Sequence, residues 1–160
     1  MLGEFLETYK ANRQLTYDIL NQLSDEELKK AWTRPGLNSF VKNIKEMISV
    51  ENAFITAIDN EDMSFDNVPD VFDFSGDLNR DKLLDGLKES DERLEKCINN
   101  IKGNKVIKWY DISIALETHL TNLIAHEVFH QGMMAMALYQ FGIDIPKSWM
   151  ESWALPQTIK

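Results

Sequence analysis

Apolar side chains return every three or four residues in four separate stretches of the chain, and that period constrains the fold more than any other feature. Leu2, Phe5, Leu6, Tyr9, Thr16, Ile19, Leu20 and Leu23 mark an amphipathic helix over about residues 2 to 23. Ser24 and Glu27 in "LSDEEL" have capping-box spacing and open a short helical segment. "TRPG" at 33–36 predicts a turn, after which Asn38 or Ser39 caps a second long helix. Its stripe is Phe40, Ile44, Met47, Phe54 and Ile58, interrupted by Glu51. Leu83, Leu84, Leu87, Leu94, Ile98 and Ile101 define a third helix over about 79–101, stopped by "KGNK". A fourth opens near Asp111 or Ser113 and runs about 45 Å to Gly142, with Pro146 beyond as a stop. Between Asn60 and Asp77 no helical period survives, which predicts a long connection of the kind used as a lid or a crossover. "KVIKWYDI" alternates like a brief strand, but no segment offers it a partner. The expected fold class is all-α, a four-helix bundle with a long crossover connection, in one domain over residues 1–160.

Composition narrows the partners. A net charge of −9 leaves no basic stripe to neutralise phosphates, so neither nucleic acid nor an anionic membrane is expected as a partner. No apolar stretch approaches the roughly 20 residues needed to span a bilayer. The single Cys97 cannot form an internal disulfide, and "MLGEFLETYKANRQ" lacks the basic start and apolar run of a signal peptide. A cytoplasmic location is expected. Cys97 is also a poor nucleophile candidate, because it sits among Leu94, Ile98 and Ile101, and buried apolar cysteines are inert.

The chemistry concentrates in "IAHEVFHQGMMAMALYQFGIDIP". His126 and His130 are spaced i, i+4, one above the other on a helix face, so two imidazoles can take adjacent positions on one metal. Such a pair also occurs without metal, satisfied by backbone or carboxylate partners. His119 lies two turns from His126, too far along the axis to complete the same set easily. A further ligand is then a carboxylate from a facing helix, with Glu46 and Glu51 as candidates. The bland alternatives are a solvated Glu46 and a Glu51 hydrogen-bonded to Trp or Tyr. "HEVFH" also fits H-E-x-x-H, in which the glutamate is a general base. Glu151 is the sole glutamate downstream, in a tail with no room for another ligand-bearing helix, and no sheet is expected to form a cleft.

These residues resemble the C-terminal motif of the DinB/YfiT-like metalloenzymes, H-x-x-x-H-R-G-Q followed by an apolar helix and G-I-x-x-P. The two histidines, the following glycine and the Gly-Ile-x-x-Pro exit match, while Gln131 stands for the usual Arg and Met133 for the usual Gln. In the second helix Ser39, Glu46, Glu51 and "NAFI" keep the family's register, with Glu46 where the family places its first histidine. The resemblance covers about residues 1 to 150 and implies a two-histidine, one-carboxylate site of His126, His130 and Glu46. Such a set accepts a divalent metal: Zn, Ni, Fe or Mn.

The family resemblance further implies a thiol-dependent transferase or a hydrolase acting on a small-molecule substrate, with a low-molecular-weight thiol such as bacillithiol as co-substrate in some relatives. An open metal position would bind a thiolate or activate water. It also implies a homodimer, with the "SWMESW" tail as local support. The face of Met133, Met134 and Met136 is expected in the core or at a dimer contact, because methionine stripes usually fill gaps in packing. The alternative is a non-catalytic bundle, a small-molecule binder or dimerisation module whose metal site has degenerated.

Overall fold

The computed structural model describes residues 2–66, 68 and 71–157. Four long helices form the bundle: α1 (Leu2–Gln22), α3 (Phe40–Asn60), α4 (Arg80–Asn100) and α5 (Leu116–Phe141). Two short helices, α2 (Asp25–Lys29) and α6 (Lys147–Trp153), close one end. Helix starts follow their caps. Ser24 and Glu27 form the reciprocal capping box of α2, Ser39 accepts from Lys42 N at the start of α3, and Asn79 accepts from Lys82 N at the start of α4. Gly142 ends α5 in the left-handed conformation at φ 64°, and Ile143 N donates back to Leu138 O at 2.9 Å. Pro146 does more than stop that helix, since its carbonyl accepts from Trp149 and Met150 at the start of α6.

Around the bundle the order of neighbours is α1, α4, α3, α5. Two apolar clusters at opposite ends of the bundle reveal the directions. One holds Leu15, Ile19 and Leu23 of α1, Phe40 and Ile44 of α3, Leu83 and Leu87 of α4, and Met134 and Leu138 of α5. The other holds Tyr9, Phe54 and Ile58, Leu94 and Ile98, and Leu116, Leu120 and Leu123. Helices α1 and α5 therefore run one way, α3 and α4 the other. Because α3 and α4 are parallel neighbours, the connection 61–79 must return along about 30 Å of bundle. That is why it is long. Asn67, Pro69 and Asp70 of this predicted connection lie outside the described residues. Phe72 packs from it against Gly86 of α4, where an added Cβ would meet Ile48 Cδ1 and Phe72 Cε1 at 3.0 Å. Glycine there sets how closely α4 and the connection approach α3.

Two sequence expectations are corrected. The alternating segment is a strand with partners: β2 (Val106–Trp109) pairs antiparallel with β3 (Ile112–Ala115) and parallel with β1 (Asp62–Met63). The first of these partners lies in the segment read as the start of the last helix, and the second is only two residues long. Helix α5 consequently begins at Leu116, not near Asp111 or Ser113. Tyr110 takes a left-handed φ of 51° in the hairpin turn, and the alternation of Ile112 and Ile114 is used for pairing with β2. Of the methionine trio, Met134 is fully buried, Met133 packs partly against the core and Met136 is 70% exposed.

Between the two apolar clusters lies a polar layer centred on Arg13. Its Nη2 stands 2.6 Å from Glu51 Oε2 and 3.4 Å from Glu127 Oε2, and its Nε 3.0 Å from Asp91 Oδ1. Tyr9 OH donates to Glu51 Oε1 and accepts from Arg13. Thr16 donates to Glu127 at 2.6 Å, and Tyr17 to Asp91 at 2.6 Å. One guanidinium thus faces three carboxylates. Burial pushes the Glu51 carboxyl up to about 7, with Arg13 opposing the rise, and pushes Glu127 up as well.

Between about 4.5 and about 7 the folded chain keeps a proton on Glu51 that the unfolded chain has released. This group's contribution is complete below that window and lost as pH rises through it. Chemical denaturation across the window should show the stability of wild type, measured relative to Glu51→Gln, falling as pH rises. A difference that is flat or rises with pH would contradict the buried, proton-retaining carboxyl.

Candidate metal centre

Helices α3 and α5 run antiparallel, and two polar contacts set their register. His119 Nε2 lies 3.0 Å from Phe54 O near one end, and His130 Nδ1 lies 2.8 Å from Asn43 Oδ1 near the other. The Asn43 amide is oriented by its own donors, which reach Leu37 O at 3.1 Å and Ser39 O at 2.8 Å. Its oxygen must therefore face His130 and accept. That places the His130 proton on Nδ1 and leaves Nε2 as an acceptor facing His126.

His130 Nε2 and His126 Nε2 converge to 3.1 Å, with ring centroids 4.5 Å apart. His130 is 1% exposed and His126 half-buried. Desolvation lowers the pKa of both rings, that of His130 to about 4 with the charges of His126 and Arg34 adding to the effect. Two neutral imidazoles with converging nitrogens, one oriented by a carbonyl oxygen behind it, suit a divalent cation. Glu46, half-buried and one turn beyond Asn43 on α3, lines the same open groove of about 600 Å³ as His126. Among the described residues, however, no three His, Cys, Asp or Glu side chains gather closely enough to hold a metal ion.

The other candidates separate clearly. Glu51 is fully buried against Arg13 and Tyr9, which is the tyrosine-bonded alternative. Glu127, the glutamate of "HEVFH", is turned into the core toward Thr16 and Arg13, so no general base stands between the histidines in the H-E-x-x-H manner. His119 is a separate structural residue: it accepts from Trp109 Nε1 at 3.0 Å and ties the hairpin to α3. Cys97 is half-buried with its thiol pushed up to about 11 by burial. Gln131, in place of the family's arginine, donates to Asn12 O and Thr16 Oγ1 across to α1. Sequence reasoning missed Asn43 and Arg13. The available signal for Asn43 was an amide one residue before Ile44 on an otherwise apolar face, one turn ahead of Glu46.

The Asn43 contact has a spectroscopic consequence. Nitrogen-15 correlation spectra of the metal-free protein should show His130 held with its proton on Nδ1, the less common tautomer in solution. Asn43→Leu should release it into a mixture. Unchanged His130 shifts in a folded Asn43→Leu protein would show that another group sets the tautomer.

Comparison with known proteins agrees with this architecture. The family model of the DinB family matches residues 1–152. Among solved structures, a DinB-like protein from Bacillus cereus ATCC 10987 superimposes with TM-score 0.62 at 17% identity, covering 89% of this chain and 93% of that chain. A DinB-like protein from Bacillus subtilis, YjoA, does so with TM-score 0.63 at 14% identity, covering 87% and 92%. At such identities the likeness is one of fold. No curated protein matches the chain. A family match from the first residue to α6, on a helical bundle shared with these two structures, means that the chain belongs to the DinB family.

Proposed function

We propose that this DinB-family protein is a metal-dependent enzyme acting on a small molecule, with His126, His130 and Glu46 as the donors for a divalent cation. The observation that carries the reading is the convergence of His126 Nε2 and His130 Nε2, with Asn43 holding the second ring in the required tautomer. Glu46 lines the same groove as His126 from the facing helix and is the donor that would complete the set. A bound Zn, Ni, Fe or Mn would supply Lewis acidity for water or for a thiolate. The chain's own residues orient His130 through Asn43 and wall the approach with Val50, Phe54 and Trp109. Hydrolysis and transfer to a low-molecular-weight thiol such as bacillithiol both fit an open donor position. Cys97 is not required in either. Among the described residues no helix is long and apolar enough to cross a membrane. We further propose a cytoplasmic homodimer with no nucleic-acid partner, the last in keeping with a net charge of −9.

A second reading is a non-catalytic bundle with a degenerate site, used for binding or dimerisation. It is favoured by the lack of a ready three-ligand cluster among the described residues. Zinc affinity by chelator competition separates the two. His130→Ala should abolish stoichiometric binding, Glu46→Ala should weaken it, and Glu46→His should preserve or tighten it, because imidazole is a good zinc ligand and the change lowers the local negative charge. Asn43→Ala should cost about 10- to 100-fold as loss of a supporting contact. Equal affinity in wild type and Glu46→Ala would remove Glu46 from the donor set, and metal-free wild type would favour the degenerate bundle.

A further inference from the structure

The groove beside the histidines has a composition of its own. Phe54 of α3, Phe65 of the crossover connection and Trp109 of β2 bring three aromatic rings from three elements to its wall, and Val50 adds an aliphatic patch. Phe54 and Trp109 meet edge to face with centroids 5.5 Å apart, and Phe65 is 50% exposed, so one wall is packed and another accessible. Among the described residues no lysine or arginine lines the groove. Among the described residues its one acidic side chain is Glu46, which makes no ion pair or side-chain hydrogen bond with any of them. An organic anion would meet a carboxylate with nothing to offset it. A cation with an apolar body would meet aromatic faces and an unpaired negative charge, in a protein whose net charge is already −9.

We infer that the groove takes a small organic ammonium compound, its aromatic or alkyl body against Phe54, Phe65 and Trp109 and its cationic nitrogen at Glu46. In treating this groove as the place where a substrate sits, the proposal rests on the functional reading above, while ligand choice and metal retention are separate measurements. The two oxygens of Glu46 let one carboxylate serve a cation beside the histidines and an ammonium in the groove.

Calorimetric titration of the full chain in a chelator-containing buffer would compare 2-phenylethylamine with 2-phenylethanol and 3-phenylpropionate, which differ mainly in charge. The amine should bind about tenfold more tightly than the alcohol, and the carboxylate more weakly still. Glu46→Gln should erase the preference for the amine over the alcohol. Phe65→Ala, at a half-exposed position outside the bundle core, should weaken the amine about two- to fivefold. His130→Ala should lose zinc yet keep amine binding, so loss of zinc alone would leave the groove intact. Equal affinities for the three probes, a preference that survives Glu46→Gln, or loss of amine binding in a folded His130→Ala protein would each overturn the proposal.

Discussion

Arg13 is the residue on which the interior depends. Its guanidinium stays protonated at any pH a folded protein meets, so burying it requires carboxylates at the same depth. Glu51 comes from α3, Glu127 from α5 and Asp91 from α4, so one cation ties all three other long helices to α1. Replacing the layer with well-packed apolar groups need not cost stability, but removing Arg13 alone would leave buried carboxylates unpaired, at about 3 to 5 kcal/mol. The layer also separates the two apolar clusters, which by themselves would tolerate helices sliding past one another. Fixed polar partners remove that freedom.

That fixed axial position carries through to the histidine pair. Glu127 and His126 are successive residues, so the helix rotation that turns Glu127 inward to Arg13 and Thr16 puts His126 about 100° around, at the groove. Three residues past Glu127, His130 comes back toward the interior and meets Asn43. The polar layer and the candidate centre are consecutive turns of the same helix. Structure and chemistry share one constraint, namely how α5 is rotated against α3.

The hairpin and the crossover connection matter for a different reason. Neither belongs to the bundle, yet Trp109 and Phe65 come from them, and without those two rings the groove would have only its helical wall. Trp109 is held by His119, which is itself held by the Phe54 carbonyl. The third histidine therefore contributes to the groove by positioning its wall, two turns away from the donors it resembles in sequence.

Much of this was legible in the residues. The three- and four-residue period, the Ser24–Glu27 capping box, a cap at Asn38 or Ser39 and the Gly142 exit located most helix ends, because those signals are local and act within one turn. The i, i+4 spacing of His126 and His130 made their proximity a property of the helix itself. Tertiary structure decided what one helix cannot contain. The pairing of β2 depends on two residues, Asp62 and Met63, far earlier in the chain and on a β3 that overlaps the apparent start of α5. The separate fates of Glu46 and Glu51, one at a groove and one locked to Arg13, depend on which face of α3 meets α1 and which meets α5. The His130 tautomer depends on an amide from another helix. Periodicity says which side of a helix is apolar; only packing says which neighbour that side meets, and the chemistry of buried polar groups follows from the neighbour.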